Sequence, residues 1–183
     1  KTMSIISIGI QKGGCGKTTT AINLAAALQL NGKKVLVVDA DPQSNLSQSL
    51  GVTDEPEANL FTELKKEIAG ESSDLGKVII QTKSGLSLVP SSIELAGAEL
   101  ELVSVYGREQ VFTWMLEPLN KKFDFIFIDC PPAIGMLTVN ALVASNYLLM
   151  PLQAEFLPLK GLRSFMHHYK VIKSKLNKNL EIL

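Results

Sequence analysis

Residues Gly13, Gly14, Cys15, Gly16, Lys17, Thr18, Thr19 and Thr20 set three glycines against one lysine and three hydroxyls. A glycine-rich turn entering a helix presents backbone N–H groups to an anion, and the helix dipole adds partial positive charge there. Glycine permits backbone angles and close approach that a side chain would block. In such a turn Lys17 supplies a full charge to the β- and γ-phosphates of a nucleotide, and the Thr18 hydroxyl can ligate magnesium. The strict spacing G-x-x-x-x-G-K-[ST] is not met, because Gln11 stands where its first glycine would fall. A second lysine, Lys12, leads the glycines instead. The competing reading is a glycine-rich structural turn; a strand before, a helix after and an intact Gly-Lys-Thr favour phosphate.

Three carboxylates agree with that chemistry. In "VVDAD", Asp39 and Asp41 are two residues apart, so a strand's period of two puts them on one face at its carboxyl end. Asp129 follows four apolar strand residues in "FIFIDCPP", the place of a Walker-B carboxylate that holds magnesium through water. A single buried aspartate reads equally as a cap or turn residue. Three at strand ends favour a nucleotide–magnesium site, because buried carboxylates are costly without a cation.

The elements that must position these groups alternate between strand and helix. "SIISIGI" (4–10) reads as a short buried strand, and "KTTTAINLAAALQLNG" as a buried helix stopped at Asn31-Gly32. "KKVLVVDAD" (33–41) is a second buried strand, completing a βαβ unit and implying a parallel sheet. Residues 51–85 are more polar, with an amphipathic helix at 59–70. A strand is expected at 86–90 and a helix at 91–104, capped by Ser91 or Ser92 with Glu94 in reach of a capping box. Helices at 107–119, 137–145 and 159–177 and strands at 123–132 and 147–152 follow, and "LNKNLEIL" reads as a helix end and another strand's start. Trp114, Phe112 and Met115 are expected in the core ahead of a partner-facing helix surface, and of His167 and His168 one should face solvent. Neighbours on a helix point ~100° apart, so that pair cannot chelate one metal. The sum is one domain over 1–183, an α/β, doubly wound, mostly parallel sheet with helices on both faces and ligands at the strands' carboxyl ends.

Bulk properties exclude little beyond this. Lys plus Arg equals Asp plus Glu, 18 against 18, so net charge gives no reason to expect a polyanionic partner. Lysines 170, 173, 175 and 178 form a basic end to the last helix, read as a solvated face ahead of a DNA or partner patch. Cys15 and Cys130 have no metal-type spacing and read as structural thiols. The opening segment is too short and broken for a signal peptide, and no run approaches a membrane span.

"KGGCGKTTT" resembles the deviant Walker A motif of the ParA/MinD family of P-loop ATPases, in which a lysine precedes two glycines. "VLVVDADPQSNLS" resembles the second motif of plasmid and chromosome partition ParA proteins, and "FDFIFIDCPPAIGMLTVNAL" their Walker-B region. "PLQAEFLPLKGLRSF" resembles the segment after the next strand. The likeness runs from Met3 to the end and is nearest the short ParA/Soj type. It implies that residues Lys12 to Thr19 bind ATP, that Lys12 crosses a dimer interface to the partner's phosphates, and that Gly13 and Gly14 lie against the other subunit. By the same resemblance Thr18, Asp41 and Asp129 form the magnesium set, with Asp41 orienting the attacking water and Asp39 further out. Lys12, Lys17 and Asp41 would carry a slow hydrolysis that times an ATP-dependent homodimer. The implied partners are non-specific DNA and a ParB-like centromere-binding protein, with no membrane, in the bacterial cytoplasm at the nucleoid. Family members continue past Leu183, so the resemblance also implies a missing C-terminal portion carrying much of the DNA surface. A MinD-like membrane-cycling ATPase and a nucleotide switch that never hydrolyses remain as alternatives; an iron–sulfur relative is not, given where the cysteines fall.

Overall fold

The computed structural model describes residues 3–153 and 158–183. Its centre is three strands whose side chains are almost all apolar: β1 (Ser4–Ile8), β2 (Val35–Asp39) and β5 (Phe125–Asp129). Strands this apolar on both faces belong inside a parallel sheet. The sheet has seven strands in the order β3-β4-β2-β5-β1-β6-β7, with β3 (Ile80–Gln81), β4 (Ser87–Val89), β6 (Tyr147–Leu149) and β7 (Glu181–Ile182) at the flanks. All pairings are parallel except β3 with β4.

Alternation along the strands sorts the core into two layers. Leu36, Val38, Ile126 and Ile128 pack under α3 (Leu60–Ile68), α4 (Leu95–Leu102), α5 (Val111–Leu116) and α6 (Met136–Ala144). Val35, Val37, Phe127, Ile6 and Ile8 face the other way, onto α1 (Lys17–Leu30) and α2 (Asn45–Ser49). A third cluster joins α7 (Pro158–Lys175) to β6 through Phe165, Tyr169, Ile172 and Leu148. Helices therefore cover both faces, as the doubly wound reading requires. The connection β1–α1–β2 passes over β5 toward one edge, whereas β5–α6–β6 passes over β1 toward the other. That reversal puts a crevice at the carboxyl ends of β1, β2 and β5.

Several sequence expectations need correction. Helix α1 is half exposed: only Lys17, Ala21 and Ala25 are buried, and Leu30 is 89% exposed. It lies on a single face of the sheet with its outer side exposed, so apolar composition overstated its burial. Its stop is as read, with Gly32 at φ 74 and Lys33 N–H donating to Leu28 O at 3.1 Å. The helix at 107–119 is broken into α5 flanked by 3-10 turns at Arg108–Gln110 and Glu117–Leu119, the second containing Pro118. Phe112 and Met115 are buried, but Trp114 is 39% exposed, its ring against Gly107. His167 and His168 are both exposed. Helix α2 and strand β3 were not foreseen. Part of "PLQAEFLPLKGLRSF", residues 154–157, lies outside the described residues.

Glu94 forms no capping box and Ser91 is spent elsewhere, as described below, but Ser92 Oγ accepts from Glu94 N–H at 3.0 Å at the start of α4. The capping box belongs to α3, where Asn59 Oδ1 accepts from Thr62 N–H at 3.1 Å and Thr62 Oγ1 accepts from Asn59 N–H at 3.0 Å. Asn59→Ala should therefore cost about 1–2 kcal/mol of stability in urea denaturation. A loss below a few tenths of a kcal/mol would show that the cap contributes nothing.

Candidate functional site

The glycine turn links β1 to α1. Gly14 and Gly16 have φ 68 and 86, the left-handed region where an L side chain is strained. A Cβ added at Gly13, Gly14 or Gly16 would meet no atom within 4 Å, so no protein packs against the turn at these positions. Helix α1 starts at Gly16 with no side-chain cap and no acidic residue in its first turn, so its leading N–H groups lack a side-chain acceptor. A cavity of ≈ 420 Å³ lies there, walled by the turn from Gly13 to Thr19 together with Asp41, Gln43, Asn45, Ser49 and Pro132.

Inside that wall Lys17 is only 8% exposed, and its Nζ donates to Lys12 O at 3.1 Å. Thr18 Oγ1 donates to Asp129 Oδ2 at 2.6 Å. Asp129 is 1% exposed, and its Oδ1 has no hydrogen-bond partner among the described residues. Burial pushes its carboxyl up to about 7, against the Thr18 hydrogen bond, and Asp39 beside it pushes the same way. Asp39 and Asp129 are register partners across β2 and β5. Burial also raises Asp39, to about 6, although Ser47 and the Asp41 N–H bond its carboxylate.

The donor set fits a divalent cation. An orphaned buried carboxylate oxygen beside a hydroxyl, in a cavity rimmed by N–H groups, is an arrangement that a cation and phosphates together would satisfy. No group of three or more His, Cys, Asp or Glu able to hold a metal exists among the described residues. Phosphate oxygens and the Thr18 hydroxyl would therefore have to complete the coordination.

The structure brings Gly13, Gly14, Cys15, Gly16, Lys17, Thr18, Thr19 and Asp41 to one cavity, while Asp129 lies outside its lining and reaches it only through its hydrogen bond from Thr18. Cys15 is largely buried within that lining, its Sγ donating to Lys12 O at 3.3 Å. Cys130 is fully buried, which pushes its thiol up to about 12 and leaves it inert. Asp39 is turned away from the cavity wall, bonding Ser47 N–H and Oγ at 2.8 and 2.6 Å. Lys12 does not line the cavity; its Nζ donates to Gln153 Oε1 at 2.9 Å. Gln153, Ser47 and Ser91 have no local sequence signal, since each acquires its partner from a distant segment.

Fold and turn together define the class: a P-loop nucleotide-binding protein of the parallel α/β kind. Comparison with known proteins narrows it. A family described as AAA domain matches residues 3–182. The sporulation initiation inhibitor protein Soj of Bacillus subtilis (strain 168) is 41% identical over 97% of this chain and 69% of its own length. The chromosome partitioning protein ParA of Myxococcus xanthus (strain DK1622) is 40% identical over 97% of this chain and 62% of its own length. The crystal structure of cobyrinic acid a,c-diamide synthase from Mycobacterium smegmatis, with bound ATP analog and magnesium, superposes with a TM-score of 0.89 at 35% identity, covering 98% of this chain and 72% of that one. This chain therefore belongs to the AAA domain family, in its ParA/Soj group of partition ATPases.

Proposed function

We propose that this chain is the ATP-binding part of a ParA-like partition ATPase, a slow, magnesium-dependent ATP hydrolase that dimerises when ATP is bound. Its cargo is plasmid or chromosomal DNA, its partner a ParB-like centromere-binding protein, and its place the cytoplasm at the nucleoid. The observation that carries this is one cavity lined by an uncapped helix start and a buried lysine, with its Thr18 hydrogen-bonded to a buried carboxylate that keeps one unpartnered oxygen among the described residues. The Mycobacterium smegmatis relative binds an ATP analog and magnesium on the same fold, which supports the ligand assignment.

In this reading the N–H groups from Gly13 to Thr19 cradle the phosphates, and Lys17 neutralises them from within. Magnesium, when bound beside Thr18 and Asp129, supplies charge neutralisation at the β- and γ-phosphates. Asp41, in the cavity wall, orients the water that attacks the γ-phosphorus, releasing ADP and phosphate. Lys12 serves the partner's nucleotide. Two features support that: its side chain is outside its own cavity, and Gly13 and Gly14 beside it are exposed with open space around them.

A cation supplied by the second subunit favours phosphate charge only in the closed dimer, which couples binding to assembly. Lys12→Ala should thus raise the dimer dissociation constant with ATP about tenfold or more while changing ATP affinity of the monomer less than threefold. Light scattering and nucleotide titration measure the two separately, and unchanged dimers would remove the in-trans role. The function as a whole is tested by phosphate release with and without DNA and the centromere-binding protein. No release under any of these conditions would leave a non-hydrolysing switch.

A further inference from the structure

Two buried serines bear on Asp41 without touching the cavity's phosphate end. Ser91 lies two residues past the end of β4, next to the carboxyl end of β2, because Val89 is in register with Val38. It is 2% exposed, and its Oγ donates to Asp41 O at 2.6 Å. Ser47, on α2 and also 2% exposed, accepts from Ser91 N–H at 3.1 Å and donates its own hydroxyl to Asp39 Oδ2 at 2.6 Å. Asp39 Oδ1 in turn accepts from Asp41 N–H at 3.2 Å.

The circuit is closed: Asp41 is held by its N–H through Asp39, by its C=O through Ser91, and Ser47 ties the two holders together. Its carboxylate adds a local bond, with Oδ1 accepting from Gln43 N–H at 2.9 Å. Three chain segments, separated by up to 50 residues, converge on one aspartate. Every Ser47 and Ser91 polar group in the circuit is paired in an interior where an unpaired one would cost ~1–3 kcal/mol. A surface loop needs no such bracing. A carboxylate that must place one water within a few tenths of an ångström of an in-line path does.

The structure assigns Ser91 as a positioning residue for Asp41 in ATP hydrolysis, with Ser47 as its brace. This rests on the reading that Asp41 orients the attacking water. It makes the turn after β2 answer to β4 and α2 rather than to the phosphates. Loss of either hydroxyl should therefore lower turnover while leaving nucleotide binding intact, since neither serine lines the phosphate cavity.

The test uses the full chain with magnesium and ATP, its hydrolysis stimulated by DNA and partner. Ser91→Ala should lower kcat about tenfold with KM and analogue affinity within twofold of wild type. Ser91→Thr, which keeps the hydroxyl, should recover most of the loss. Ser47→Ala gives an independent second variant with the same expected split, useful if the alanine at 91 folds poorly. In an Asp41→Asn background the Ser91→Ala loss should shrink below twofold, because the serine acts only through that carboxylate. A kcat within twofold of wild type in both alanine variants overturns the assignment, as does an equal fall in affinity and turnover. So does an undiminished Ser91→Ala effect in the Asp41→Asn background. Wild-type activity is measured first. If it is absent, the hydrolysis reading itself falls; if it is present with unaffected serine variants, only this inference does.

Discussion

Lys17→Ala is expected to lower nucleotide affinity at least a hundredfold. Its ammonium is already inside the turn, 3.1 Å from Lys12 O and shielded from solvent, so little side-chain entropy is lost on binding. Two unit charges at about 4 Å with an effective dielectric near 20 attract by ~4 kcal/mol. Even with part of that offset by desolvation, about 3 kcal/mol remains, roughly a hundredfold in affinity. The lysine also lowers the Asp129 carboxyl, so its removal leaves that group beside Asp39 without a nearby cation. Protonation of Asp129 can absorb this, and the variant should still unfold cooperatively. Titration with a fluorescent ATP analogue, alongside a thermal melt, decides the matter. A folded variant that keeps affinity within tenfold of wild type would show that the turn does not bind phosphate.

Asp41→Asn is expected to leave ATP binding within about threefold and to cut hydrolysis a hundredfold or more, so that ATP-bound dimers accumulate. Losing a group that orients the nucleophile in phosphoryl transfer falls in that range. The asparagine retains an oxygen for Gln43 N–H, and the Asp41 backbone keeps its bonds to Asp39, Ser44 N–H and Ser91. The fold is therefore not at stake, and the change isolates the charge. Rapid-quench turnover and sizing by light scattering read the two effects. Normal turnover would remove Asp41 from the chemistry.

The parts of the site that the sequence made legible are those set by short-range rules. Continuous apolar runs in "VLVVD" and "FIFID" located Asp39 and Asp129, because a strand buried on both faces is followed by a polar residue where it leaves the core. Glycines ahead of Lys17 announced the turn, because few other residues accept φ 68 and 86. The strand at the end of the chain was legible in "LEIL" for the same reason as the others.

What escaped depends on partners far along the chain. Helix α2 has five residues, four of them polar, and exists because Asp39 caps Ser47 from inside the sheet. Ser91 looked like a helix cap, a use its residue type favours, until a carbonyl 50 residues away claimed its hydroxyl. β3 is two residues long, too short to show any period. Periodicity finds an apolar stripe but not its width: Val111, Phe112 and Met115 fill the interior, and the Trp114 indole is left resting on Gly107.

Ile8, Asp129 and Asp39 occupy one rung across β1, β5 and β2. The same pleat that sends Val37 to one layer and Val38 to the other sets the height of both acids against the turn. A slip of β5 by a single rung would swap its inside and outside and, in the same motion, carry Asp129 away from Thr18. Misassembly of this sheet cannot yield a sound scaffold with a broken site, nor a working site on a faulty scaffold; the molecule is proofread for both at one stroke.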